Sequence, residues 1–281
     1  MAGDEDPSSI PTAGAVIHAM GMPFTLEVTL GLLDRPDPVT VESAFASFHR
    51  DLQWADDIFS LWRDDTPVSR LSRGEITVDD CPPAVGEVLG ACERFRVETE
   101  GFFDARRPDG VLDPTGLVKS WAVVRAVWRL EALGAAGWMV GASGDVLVAG
   151  VAPDGGAWRL GIADPRRADD PQGAPVLDVV ALGGVFDGGP VALATSGTAQ
   201  HGEHIWNPRT GVSRAAYAQV SVAGEDLVEC DVWATAIVAG GADVALAAQR
   251  HGLDVLCIGT TEPGAPVQSF ASPGWPTVAE T

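Results

Sequence analysis

The chain has 281 residues and a formal net charge of −21. That length can bury a full-sized core in one or two domains, and the acidic excess argues against nonspecific binding to nucleic acid or to an anionic membrane. Four cysteines (Cys81, Cys92, Cys230, Cys257) form no CxxC pair and have no histidine at zinc-finger spacing, so they read as reduced, mostly buried thiols.

Residues 1–14 are acidic and rich in Pro, Ser and Gly, and are expected to be a disordered tail. They lack the basic and apolar regions of a secretory leader and no lipobox cysteine is seen, so the expected compartment is the cytoplasm. No apolar run is long enough for a membrane span. FTLEVTL alternates apolar and polar residues, as a half-buried strand does. VESAFASFHRDLQWADDIF places Phe45, Phe48, Leu52 and Ile58 at helical spacing, and PAVGEVLGACERFRVETEG is a second amphipathic helix stopped by glycine. WAVVRAVWRLEALGAAG predicts a third helix. Five β segments follow, WMVGASGDVLVAG, AWRLGIADP, VLDVVALGG, PVALATSG and AAYAQVSVAG, separated by Gly-rich turns. DVWATAIVAGGADVALAAQRHG then reads as a helix and LDVLCIG as a closing strand. Helices early and strands late point to an α+β fold with an antiparallel or mixed sheet. Residues 15–260 are read as one domain and 261–281 as a C-terminal tail in which Phe270 and Trp275 are able to dock.

Four stretches carry candidate chemistry. DPTGLVK (113–119) forces a turn into a helix start and contains the only lysine of the chain, Lys119. Backbone N–H groups at such a start favour an anion, phosphate above all, and an ammonium in the first turn reaches the same anion; the plainer reading is a capped helix with a surface lysine. CDVWATA (230–236) places Asp231 and Thr235 on one helical face. A carboxylate and a hydroxyl there suit a hard cation such as Mg²⁺, while the competing reading makes Asp231 a helix N-cap. ATSGTAQHGEHIWNPRTG (194–211) holds His201 and His204 before a turn, and histidine is the default general base near neutrality. GASGDVLVAG (141–150) lacks the spacing of a dinucleotide fingerprint and reads as a hairpin around Gly144 and Asp145.

In this order, together with Met20-Gly21-Met22-Pro23-Phe24, FSLWRDDTPVSRLSRGE (59–75), TEGFFD (99–104) and WRLGIADP (158–165), these stretches resemble the FAD:protein FMN transferases, the ApbE family. The matching motifs run from residue 20 to about 240, with Ser120, Val124 and Asn207 departing from the family pattern. The resemblance implies an α+β single domain with helices packed on mixed or antiparallel sheets. It implies a Mg²⁺-dependent enzyme that cleaves the FAD pyrophosphate, releases AMP and attaches FMN to a Thr or Ser of an acceptor protein, the sequence leaving open which of Mg²⁺, Mn²⁺ and Ca²⁺ is preferred. By position it makes Asp231 and Thr235 side-chain ligands of the metal and Gly116 a carbonyl ligand. It makes Met20, Trp62, Phe102, Phe103, Asp104, Asp113, Lys119 and Ile205 the FAD-lining set, and His204 the base for the acceptor hydroxyl. The alternatives are a Mg²⁺-dependent FAD pyrophosphatase and a flavin-binding protein without turnover.

Overall fold

The structure is a computed structural model, and it describes residues 10–32, 35–167, 170, 173–183, 189–197, 207–211, 215–259 and 268–278. Strands β1 (Thr12–Ala19) and β2 (Met22–Thr29) form a hairpin turned by Met20 and Gly21, both at positive φ. Helices α1 (Pro38–Phe59), α2 (Pro67–Ser72), α3 (Pro83–Glu98), α4 (Thr115–Ala126) and α5 (Trp128–Glu131) follow. Strands β3 (Gly137–Ala142), β4 (Asp145–Gly150), β5 (Trp158–Ala163), β6 (Val176–Leu182), β7 (Val191–Gly197) and β8 (Tyr217–Gly224) come next. Helices α6 (Leu227–Gly240) and α7 (Ala242–Arg250) and strands β9 (Asp254–Gly259) and β10 (Ser269–Ala271) complete the chain.

Eight strands form one antiparallel sheet in the order β1-β2-β3-β4-β7-β8-β9-β10, and β5 and β6 form a separate hairpin. Strand alternation builds two cores from this sheet. Leu147, Ala192, Ala194, Val220, Val222, Val255 and Cys257 point to the helices. Val148, Leu193, Ala223, Leu256 and Ile258 point the other way, against Trp158, Ile162, Val180 and Leu182 of the β5–β6 hairpin. The result is three layers: helices, the long sheet, and a small hairpin.

Helix α6 lies in the helical layer and is buried nearly all round, with Cys230, Val232, Trp233, Ala234, Ala236, Ile237 and Val238 inaccessible. A helix apolar on every side is an interior helix, so the polar side chains it carries stand out. Each buried Leu, Ile or Phe of such a core contributes roughly 1.5–3 kcal/mol through burial.

Several boundaries differ from the sequence reading. Strand β1 begins at Thr12, within the expected N-terminal tail, and Ile10 N–H donates to the Pro153 carbonyl at 2.7 Å. Its small residues, including Gly14 against the Leu26 carbonyl, pair closely along β2. At the other end β10 pairs with β9, and Trp275 is buried against the hairpin core with its indole N–H donating to Asp178 at 2.7 Å. WMVGASGDVLVAG is two strands joined by a turn. The helix from residue 231 instead starts at Leu227 and breaks at Gly241, whose φ is 80°.

Candidate active site

A cavity of about 610 Å³ opens where the helical layer, the sheet and the hairpin meet. Met20 and Met22 of the first hairpin, Trp62 after α1, Gly116 and Lys119 of α4, and Asp231 and Thr235 of α6 all line it. The structure thus brings together seven residues from four segments, the first and last more than two hundred positions apart in the chain. Trp62 stands at 98% exposure on its rim.

The floor carries three charges. Lys119 Nζ lies 2.6 Å from Asp145 Oδ2 and 3.8 Å from Asp231 Oδ2. Asp145 comes from the β3–β4 turn, where Ser143 and Gly144 take positive φ and swing the chain back. Asp145 shares the pleat face of Leu147, so its carboxylate points toward α4 and α6. Thr195 N–H donates to its Oδ1 at 3.1 Å. Both carboxylates are buried, at 1% and 5% exposure.

Burial pulls the Lys119 pKa down, but the charges of Asp231 and Asp145 outweigh it and hold the pKa above the usual lysine value. Asp145 is pushed up to about 7, first by burial and then by the like charge of Asp231. With Asp145 ionised, two carboxylates and one ammonium leave the floor net anionic.

Asp231 is not a helix cap. Asp226 fills that position, accepting from Val228 N–H at 2.7 Å and Glu229 N–H at 3.1 Å. Asp231 sits one turn further in, and its Oδ2 is buried with no hydrogen-bond partner. Thr235, one turn beyond, hydrogen-bonds to Ser196 of β7 at 3.0 Å between hydroxyl oxygens. A second hydroxyl pair, Thr195 with Ser221, lies beside it at 2.9 Å.

This donor set fits a hard divalent cation. An orphaned buried carboxylate oxygen, a hydroxyl and the Gly116 backbone line one cavity. Among the described residues no group of three or more His, Cys, Asp or Glu side chains is placed to hold a metal. A site with so few protein ligands is the kind that Mg²⁺ completes with water and substrate phosphates.

Asp113, Phe103, Phe102 and Asp104, also expected as FAD contacts, do not line this cavity and have partners of their own. Asp113 accepts from Thr115 N–H at 3.1 Å and from the Thr115 hydroxyl at 2.5 Å, fixing the start of α4. Phe103 is buried beneath Gly116: a Cβ added there would lie 3.4 Å from its ring. Phe102 lies under the Arg209 guanidinium, 4.3 Å from the ring centroid, and packs on Gly240. Arg209 also donates to the Glu100 carbonyl at 2.7 Å and 3.0 Å. Asp104 caps Arg106 N–H at 2.7 Å and lines a separate groove with Arg96 and Arg106. Phe102, Phe103, Asp104 and Asp113 are therefore not brought to the cavity. Phe103 and Asp113 brace the α4 start and Phe102 braces the 207–211 turn, while Asp104 faces the separate groove. His204 and Ile205 lie outside the described residues.

Other polar residues of the cavity were not singled out from the sequence. They include Ser196, Asp56, Gln219 and Asp164, the last held by Arg166 through Nη2–Oδ2 at 2.7 Å; Asp145, read from the sequence as part of a plain hairpin, lies beneath the cavity as the partner of Lys119. The alternation of β4 and β7 was the available signal for Asp145 and Ser196.

The model of the ApbE family matches residues 105–257, more than half of the chain. The chain belongs to the ApbE family. Its fold is similar to that of flavin transferase ApbE from Vibrio cholerae, at 21% identity and a TM-score of 0.76 over 94% of this chain and 97% of that one. The flavinyl transferase ApbE of Pseudomonas stutzeri, in its apo form, matches at 19% identity and a TM-score of 0.76 over 96% and 97%. The ApbE protein of Thermotoga maritima matches at 18% identity and a TM-score of 0.70 over 92% and 96%. No curated protein sequence matches the chain. Among the described residues no helix is long and apolar enough to cross a membrane.

Proposed function

We propose that this protein is a Mg²⁺-dependent FAD:protein FMN transferase. The observation that carries the reading is the Asp231 carboxylate oxygen, buried without a hydrogen-bond partner and facing a cavity shared with Gly116, Lys119 and Thr235. Family membership and the likeness to flavin transferase folds support it.

In this reading FAD enters with its pyrophosphate over the cavity floor and its ring system toward Met20 and Trp62. Phosphoryl transfer needs mainly positioning and charge neutralisation. A divalent cation held by Asp231, Thr235 and the Gly116 carbonyl would supply the Lewis-acid charge on the phosphate oxygens. The α4 N-terminus adds its N–H groups and positive dipole end on the same side. Lys119 holds the ammonium charge beside the leaving phosphate. His204 takes the proton of an acceptor Thr or Ser hydroxyl. That oxygen bonds the FMN phosphorus, the P–O–P linkage breaks, and AMP departs with the bonding electrons.

The test is AMP release from FAD, followed chromatographically with and without Mg²⁺ and with and without an acceptor domain. Release that needs both supports the transferase. Release with Mg²⁺ and no acceptor favours a pyrophosphatase, and intact FAD in every mixture contradicts both.

A further inference from the structure

Three facts at the cavity floor are unequal in a way that calls for a cause. Lys119 stands between two buried carboxylates yet sits 2.6 Å from Asp145 and 3.8 Å from Asp231. Asp145 is held rigidly: Thr195 N–H fixes its Oδ1, and the positive-φ pair Ser143 and Gly144 fixes its turn. Neither carboxylate's Oδ2 accepts a hydrogen bond, but Asp145 Oδ2 has the ammonium at 2.6 Å whereas Asp231 Oδ2 has it only at 3.8 Å, with its side chain 7% exposed.

An ammonium is a compact charge on a flexible stem. Its attraction to a carboxylate falls off with distance and is strong in a low-dielectric interior. With Asp145 in place, the nearer carboxylate holds it. Without that charge, Lys119 would swing onto Asp231, the remaining buried anion within reach, and neutralise it. A cation would then have to displace an ammonium before binding.

We propose that Asp145 is a positioning residue that draws the Lys119 ammonium aside and so keeps Asp231 Oδ2 available to a divalent cation. This rests on the reading of Asp231 and Thr235 as cation ligands. It adds that Asp145 acts on the cation through Lys119, without touching it.

The test is Mn²⁺ binding at pH 8, where the Asp145 carboxylate is ionised, to the full-length protein without FAD, measured by electron paramagnetic resonance, on four proteins whose folding is checked by circular dichroism. The parent binds Mn²⁺. Asp145→Asn binds about tenfold or more weakly, the size typical of losing a residue that orients a metal ligand. Asp145→Asn combined with Lys119→Met recovers parental affinity, because no ammonium remains to occupy Asp231. If the double variant stays as weak as Asp145→Asn, Asp145 is a ligand or a structural support and the proposal falls. A parent that binds no Mn²⁺ overturns the cation site itself. Should Asp145→Asn not fold, Lys119→Met alone decides: binding at least as tight as the parent supports the proposal, and weaker binding overturns it.

Discussion

The Thr235 hydroxyl on α6 and the Ser196 hydroxyl on β7 lie 3.0 Å apart, joining the buried helix to the centre of the sheet at the cavity wall. Either hydroxyl of the pair can donate; with a hard cation on the cavity side taking the Thr235 lone pairs, Thr235 is the donor and Ser196 the acceptor. Ser196 thus sets the orientation of a proposed ligand from outside the ligand set. Ser196→Ala is expected to lower Mg²⁺ affinity by about tenfold, and Thr235→Val by more, while Thr235→Ser retains most of it. Isothermal titration of the purified variants measures all three.

Asp231→Ala is expected to abolish Mg²⁺-dependent AMP release and the thermal stabilisation that Mg²⁺ confers on the parent. Because its Oδ2 is buried without a hydrogen bond, the variant should melt no lower than the parent in the absence of Mg²⁺. Calorimetric scans with and without the cation separate loss of the site from loss of the fold.

Trp62 offers the rim of the cavity an indole exposed at 98%. An aromatic face so open contributes little to the core and suits stacking with a planar ring. Stacking of a base on such a residue is worth about 1–3 kcal/mol, so Trp62→Ala should weaken FAD binding by roughly tenfold or more with little change in melting temperature. Flavin fluorescence titration reads the first and a thermal melt the second.

Arg209 ties the 207–211 turn to the loop before α4, over the Phe102 ring and through the Glu100 carbonyl. Arg209→Ala removes a stacked cation and charge-assisted hydrogen bonds, together worth about 1–2 kcal/mol at a half-exposed site. Arg209→Lys should recover little of it, since a lysine lacks the planar fork. Urea denaturation midpoints of the two variants check this.

The raised pKa of Asp145 makes apo stability depend on pH. The folded state keeps a proton that the unfolded chain has released between its ordinary value of 3.8 and about 7. In that window the native state binds more protons, so its stability falls as pH rises. The parent without Mg²⁺ should therefore lose melting temperature from pH 5 to 7.5 more steeply than Asp145→Asn. Mg²⁺ opposes the trend, because the added positive charge favours the ionised carboxylate. Melting curves at stepped pH, with Mg²⁺ and with chelator, give the comparison.

Much of this architecture was legible because the periodicities were strong. Phe45, Phe48, Leu52 and Ile58 mark one face of α1. The alternation in β2 marks a half-buried strand, and the continuous apolar runs of β7–β9 report a sheet covered on both sides. The pairing of Asp231 with Thr235 followed from helical spacing, and the cavity contains both. What stayed hidden depended on tertiary context. The role of Asp145 requires knowing that β4 runs beside β7 and beneath α4 and α6, which no local pattern encodes. Phe102 and Phe103 sit in a motif that implies ligand contact, yet the rings are claimed by Arg209, Gly240 and Gly116. Strand β1 was missed because its small residues adjoin a polar terminus, and only pairing with β2 makes it a strand.

The central claim is covalent transfer, and the intact mass of an acceptor domain tests it most directly. The acceptor is incubated with this protein, FAD and Mg²⁺, then denatured and weighed by mass spectrometry beside a mixture containing Asp231→Ala. A transferase leaves the acceptor heavier by one phosphate-linked FMN with the parent and unchanged with the variant. An acceptor of unchanged mass in the parent mixture, with FAD consumed to free FMN and AMP, would contradict it.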